Sequence, residues 1–170
     1  MGNSSRSLQT SEDLNKTIYA AIDFGTTFFG YAFLIKVKGG LSEDILGNGR
    51  GKEREPTCLL LKPDQTFAAL GYKAVNEFYN DLDTDEQKSH YYFRQFKMRL
   101  YEKKLSRSSE LSDENGKLLN ALNVFSVALL EIKQNILKHI NQSTAAPKTI
   151  DADDIDWVVT IPAIWTDEAM

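Results

Sequence analysis

Ile18-Tyr19-Ala20-Ala21-Ile22-Asp23-Phe24-Gly25-Thr26-Thr27-Phe28-Phe29-Gly30 is the stretch on which the reading of this chain turns. Mostly apolar residues lead into Asp23, a glycine permits a tight turn, two threonine hydroxyls sit on that turn, and an aromatic run leaves it. The pattern predicts a strand–turn–strand hairpin whose tip carries one carboxylate and several backbone amides. Turn N–H groups form an anion-binding concavity, and glycine lets a ligand approach the backbone closely. Phosphates suit such a tip. Asp23 is then placed to hold an accompanying magnesium ion through water, because that cation gives up its hydration shell reluctantly. A plain hairpin with an Asp-Phe-Gly-Thr turn is the alternative that these residues alone leave open.

Outward from the hairpin, the first strand is expected over about Thr17–Ile22 and the second over Phe28–Val37. Both are nearly continuously apolar, as in strands covered on both faces. Lys38–Glu55 is rich in glycine and charge and reads as an exposed loop. Its glycines lack the Gly-Lys-Ser/Thr ending of a phosphate loop. Pro56 opens a further strand, Thr57–Leu61, and a Pro63-Asp64 turn returns it as Thr66–Leu70. From Tyr72 the spacing of Ala74, Val75, Phe78 and Tyr79 predicts a helix. Asp81–Glu86 lacks the glycine and terminal glutamate of a calcium loop and reads as a solvated turn or helix start.

His90–Arg107 sets six bases against a single acid, Glu102, and interleaves Tyr91, Tyr92, Phe93 and Phe96 among them. Its expected form is an amphipathic helix with core aromatics and a wet basic face. Within it, Lys97 is flanked by Phe96 and Met98 and is a candidate to reach a phosphate. Ser112-Asp113-Glu114 suggests the start of the next helix. Leu118, Leu122, Phe125, Leu129, Ile132, Ile136 and Ile140 then recur every three or four residues, predicting a helix over Lys117–Asn141. His139 near its end suits the helix C-terminal field. Trp157–Ile161 reads as a buried strand stopped by Pro162, and Trp165-Thr166-Asp167-Glu168 as the cap and first turn of another helix.

The chain has 170 residues and a formal net charge of −4, which gives no general case for binding nucleic acid. No apolar stretch is long enough to span a bilayer. The polar Met1–Lys16 segment has no signal-peptide core and is expected to be a disordered tail. Its single cysteine, Cys58, excludes an internal disulfide and suits a reducing, cytoplasmic setting. It lies in the apolar run Cys58-Leu59-Leu60-Leu61, where packing is its expected role.

Three stretches carry a resemblance to the actin-like ATPase superfamily, and within it to the heat shock 70 kDa protein 12A/12B-like subfamily. Ala20-Ala21-Ile22-Asp23-Phe24-Gly25-Thr26-Thr27 with Gly30-Tyr31-Ala32 resembles the superfamily's first phosphate motif. Pro56-Thr57-Cys58-Leu59-Leu60-Leu61, followed by Gly71-Tyr72 and Phe78-Tyr79-Asn80-Asp81-Leu82-Asp83, is similar to the subfamily's next segment. Trp157-Val158-Val159-Thr160-Ile161-Pro162-Ala163-Ile164-Trp165 resembles the strand that enters the first connecting helix.

The resemblance implies an α/β fold: the N-terminal part of an actin-like ATPase domain, with a ribonuclease H-like mixed sheet and flanking helices, incomplete at the C-terminus. Residues 17–170 would form a partial nucleotide-binding domain, its first lobe, with 38–115 holding a loop and an inserted smaller subdomain. The implied cofactors are ATP or ADP with magnesium. By resemblance, Asp23 helps to position the metal, Gly25, Thr26 and Thr27 hold the β- and γ-phosphates, and Lys97 matches the catalytic lysine. Water would attack the γ-phosphate in line, with positioning and charge neutralisation supplying most of the rate.

The family's second phosphate motif and adenosine motif have no counterpart within the 170 residues. The isolated chain is accordingly expected to be part of a longer pattern and to bind and turn over nucleotide poorly. A metabolite kinase sharing the hairpin, and a non-catalytic scaffold derived from the same fold, are the other readings. Protein clients and co-chaperones are not legible in the sequence.

Overall fold

The computed structural model describes residues 16–37, 44–47, 54–101, 106–142 and 149–160. It is a mixed α/β protein. Strands β1 (Lys16–Phe24) and β2 (Phe28–Val37) form the expected antiparallel hairpin, in register from Lys16 opposite Val37 to Phe24 opposite Phe29. β3 (Asp44–Gly47) and the short β4 (Glu55–Pro56) also pair with β2. The expected loop over Lys38–Glu55 is thereby corrected, since Asp44–Gly47 forms a strand inside it. Glycine and charge around that tetrapeptide mask its pairing potential, which comes from the neighbouring β2 edge.

β5 (Cys58–Leu61) is central in a second sheet, between β6 (Phe67–Leu70) and β7 (Tyr91–Arg94). All four residues of β5 are buried because the sheet is covered on both faces. Leu59, Leu61 and Phe93 join the main core, while Cys58, Leu60 and Tyr92 pack with Ala74 and Phe78 in a smaller one. Those last two residues belong to α1 (Tyr72–Asn76) and the π turn Glu77–Asp81 that prolongs it. Cys58 is free and buried, in keeping with a packing role. The acidic stretch starts α2 (Thr84–Ser89), where the Asp83 side chain accepts from the Asp85 and Glu86 amides and Glu86 returns to the Asp83 amide. That reciprocal cap accounts for Asp83 and Glu86 as a helix start.

Two helical expectations are overturned. His90–Arg107 is not one amphipathic helix: Tyr91–Arg94 forms β7 against β5, and Phe96–Tyr101 forms a 3₁₀ turn. Consecutive Tyr92 and Phe93 are both buried on opposite faces of one strand, a pairing that suits aromatic β-formers. Nor does Ser112-Asp113-Glu114 begin a helix. It closes β8 (Glu110–Ser112), which pairs with β9 (Leu118–Asn120) around a turn. The buried Asp113 carboxylate organises that turn by accepting from the Asn115 and Lys117 amides. Gly116 supplies its positive φ of 84°. The Lys117 ammonium donates to the carbonyls of Lys88, Ser89 and His90 at the end of α2, the end where a helix favours positive charge.

The long helix is present as α3 (Ala121–Gln142), starting four residues later than the periodicity suggests. Val124, Ala128, Ile132, Ile136 and Ile140 are fully buried along one stripe. Each buried Ile or Val contributes about 1.5–3 kcal/mol of transfer free energy, so this stripe anchors the main core. It meets Ile18, Ala20, Ile22 and Phe24 of β1 and Phe29, Phe33 and Ile35 of β2. The intervening Tyr19, Ala21 and Asp23 are exposed, so β1 is buried on one face and not on both as its composition suggests. After a 3₁₀ turn at Ala152–Asp154, β10 (Ile155–Val159) lies parallel to β1 at the sheet edge. It begins two residues earlier than expected, and Val158 and Val159 are exposed where a buried strand was expected. The parts of the notional final strand and helix that fall on 161–170 lie outside the described residues, as do residues 1–15 of the expected tail.

Candidate functional site

The β1–β2 turn consists of Gly25, Thr26 and Thr27. A Cβ on Gly25 would lie 2.3 Å from the Phe28 carbonyl oxygen, so only glycine fits this closure. Thr57, 1% exposed, locks the turn from beneath. Its hydroxyl donates to the Gly25 carbonyl at 2.9 Å and its amide donates to the Thr27 carbonyl at 2.9 Å. With those carbonyls turned to Thr57, the amides of Gly25, Thr26 and Thr27 have no hydrogen-bond partner among the described residues. Thr26 is half-buried and Thr27 exposed.

The Thr57 carbonyl in turn accepts from the Gln95 amide at 3.0 Å. Gln95 takes a left-handed φ of 45° as the chain leaves β7, and the 3₁₀ turn that follows presents Lys97. The Lys97 side chain is buried, lies 5.6 Å from the centre of the Phe24 ring, and donates to the Phe24 carbonyl. Burial holds its ammonium below the usual lysine range, while the Asp23 charge opposes that shift. Sequence reasoning had Lys97 on a helix. The structure puts it on a 3₁₀ turn and brings it beneath the hairpin tip from 73 positions away.

Asp23 lies within β1, opposite Gly30, one residue inside the tip on which its sequence seemed to place it. Its carboxylate is 50% exposed on the face away from α3. Oδ1 accepts from the Thr160 hydroxyl at 3.0 Å, and Oδ2 pairs with Arg54 Nη2 at 3.2 Å. The Thr160 amide donates to the Ile22 carbonyl, which continues the β10 register and fixes that hydroxyl beside Asp23. Asp23, Gly25, Thr26, Thr27 and Lys97 therefore gather at one end of the main sheet. Three residues near them went unnoticed in the sequence: Arg54, Thr57 and Thr160. Only tertiary proximity marks them, although a threonine directly after Pro56 at the mouth of a buried run was a usable signal.

No group of three or more His, Cys, Asp or Glu side chains is placed to hold a metal among the described residues. Magnesium does not need one. It is commonly held through one or two carboxylates, substrate phosphates and retained waters, and a half-exposed hard carboxylate near the unpartnered turn amides fits that donor set. No helix among the described residues is long and apolar enough to cross a membrane.

A mixed α/β chain with this hairpin has its counterparts among 70-kDa heat-shock-type proteins. It is 35% identical over 165 residues to human heat shock 70 kDa protein 12B, a match covering 90% of this chain and 23% of that protein. To human heat shock 70 kDa protein 12A it is 34% identical over 171 residues, covering 94% and 24%, and to the mouse 12A protein 35% over the same span. The chain is thus a homologue of the heat shock 70 kDa proteins 12A and 12B, and it spans about a quarter of their length. No family model matches it, and no solved structure does.

Proposed function

We propose that this chain binds the phosphates of ATP or ADP, with magnesium, at the β1–β2 turn, as first-lobe sequence of an actin-like ATPase domain of the 70-kDa heat-shock type. The observation that carries the reading is the convergence of Asp23, the open amides of Gly25-Thr26-Thr27 and the buried Lys97 on one hairpin end. Homology to the 12A and 12B proteins supports the same class. Within it, residues 17–170 act as part of the nucleotide-binding domain, with 38–115 as its loop and smaller subdomain, in a cytoplasmic chaperone.

In this reading the turn amides and the Thr26 and Thr27 hydroxyls donate to phosphate oxygens. Asp23 orients the metal, which when bound neutralises phosphate charge. Lys97 places a fixed positive charge under the tip, in a setting where burial strengthens its field. These groups address phosphate alone and offer nothing to the purine, so the chain by itself binds nucleotide weakly and positions an attacking water poorly.

Titration of the chain with ATP, with and without magnesium, while following the amide resonances of Gly25, Thr26 and Thr27, tests the reading. Removing a charged hydrogen-bonding partner costs about 1.5–3 kcal/mol, so Asp23→Asn should lose about tenfold or more of the magnesium-dependent affinity. A folded Asp23→Asn variant that binds magnesium–ATP as the wild type does would remove the nucleotide reading and favour a scaffold.

A further inference from the structure

Arg54 reaches the hairpin from a segment whose composition suggests only an exposed loop. It directly precedes β4, where Glu55 pairs with Phe29 and Pro56 with Phe28. That pairing lays the Arg54 stem across Gly30, its Cγ 3.8 Å from where a Gly30 Cβ would lie. Gly30 is the residue opposite Asp23, and the guanidinium passes over it to the carboxylate at 3.2 Å. Both side chains are at least half exposed, at 66% and 50%. With Thr160 on the other oxygen, both Asp23 oxygens are engaged, and of these two partners Arg54 is the charged one.

An ion pair this exposed is weak, and a divalent cation drawn to the same carboxylate repels the guanidinium. β4 keeps the displaced side chain at the mouth of the site. There the planar fork of arginine suits a phosphate better than any other cationic side chain. We propose that Arg54 is a phosphate-binding residue of this site, paired with Asp23 until a magnesium-bearing polyphosphate arrives and then exchanged onto a phosphate oxygen. The proposal rests on the nucleotide reading above.

The full chain is titrated with magnesium chloride alone and then with magnesium tripolyphosphate, following the Gly25, Thr26 and Thr27 amides and the Arg54 Nε–H by NMR. Arg54→Gln removes a competitor for Asp23, so affinity for magnesium alone should rise roughly two- to fivefold. Affinity for magnesium tripolyphosphate should fall about tenfold. These opposite signs separate a ligand from a merely structural residue, whose loss would weaken both. Arg54→Lys keeps the ion pair and the fold but lacks the fork; it should hold magnesium affinity within about twofold and still lose polyphosphate affinity severalfold.

An Arg54→Gln chain whose polyphosphate affinity is unchanged, or whose two affinities fall together, overturns the proposal. If the wild-type chain responds and Asp23→Asn abolishes the response while Arg54→Gln and Arg54→Lys do nothing, Arg54 alone is refuted. If the wild-type turn amides ignore magnesium tripolyphosphate altogether, the nucleotide reading falls and this proposal with it.

Discussion

Replacing Gly25 by alanine puts the hairpin tip under a test whose size follows from one distance. The new Cβ would stand 2.3 Å from the Phe28 carbonyl oxygen and 3.5 Å from its carbon. Backbone atoms do not come closer than 3.0 Å to a real Cβ, so the turn must open by about 0.7 Å. Forcing extra volume into a closed site costs about 1–3 kcal/mol. Opening the tip also withdraws the Gly25 carbonyl from the Thr57 hydroxyl, worth about 1 kcal/mol. Alanine offsets part of this by restricting the unfolded chain, about 0.4–1 kcal/mol. The net expectation is a destabilisation of roughly 1–3.5 kcal/mol, read from urea unfolding at an unchanged slope. Gly30→Ala is the control in the same hairpin. Its Cβ meets nothing nearer than Arg54 Cγ at 3.8 Å, so its stability should stay within about 0.5 kcal/mol of wild type. Equal stabilities for the two variants would refute the geometric argument.

Two further outcomes bear on the core and on pH. Ile136, fully buried on the inner stripe of α3, should cost about 2–5 kcal/mol as Ile136→Ala. Leu122, on the same helix but 60% exposed, should change stability by less than about 0.5 kcal/mol as Leu122→Ala; chemical denaturation compares them. The Tyr31 phenol, hydrogen-bonded to His139 Nδ1 at 2.5 Å, is pushed up to about 12 by burial first and by the Glu55 carboxylate second, from an ordinary value of 10.0. Between those values the unfolded chain releases the phenolic proton and the folded chain keeps it. Stability present below pH 10 is therefore lost as pH rises towards 12. Tyr31→Phe should flatten that alkaline fall, leaving the part due to the Tyr92 phenol and the Cys58 thiol, both also raised by burial. Unfolding curves taken from pH 9 upward would show it, and identical slopes in the two proteins would reject the assignment.

The hairpin and α3 were legible because their signals lie in contiguous sequence: an apolar run into Asp23, and apolar residues every three or four positions from Leu118 to Ile140. The detail was not: among the described residues β1 buries only Ile18, Ala20, Ile22 and Phe24, and the helix buries Val124, Ala128, Ile132, Ile136 and Ile140, while Leu118 and Leu122, expected on its stripe, are exposed. Glycine at 25 and the threonines after it marked the turn for a reason that is equally local. By contrast, Tyr91–Arg94 became a strand because β5 offers it an edge. Lys117 prevents nothing helical by itself, yet Asp113 and the end of α2 capture it in a turn. Aromatic and basic residues in alternation do not disclose a partner some thirty positions upstream, so the helical reading of His90–Arg107 failed where non-local pairing won.

By itself, then, the sequence determined where the tight turn falls and which carboxylate stands beside it, since backbone closure and side-chain chemistry are settled within a few residues. Only the tertiary structure decided what holds that turn and what occupies that carboxylate. Thr57 meets the hairpin from the residue before β5, Lys97 from the 3₁₀ turn after β7, Thr160 from the end of the parallel edge strand, and Arg54 across a glycine. Hydrogen bonds and ion pairs depend on distances of a few ångströms, and separations of up to 137 residues along the chain carry no record of them.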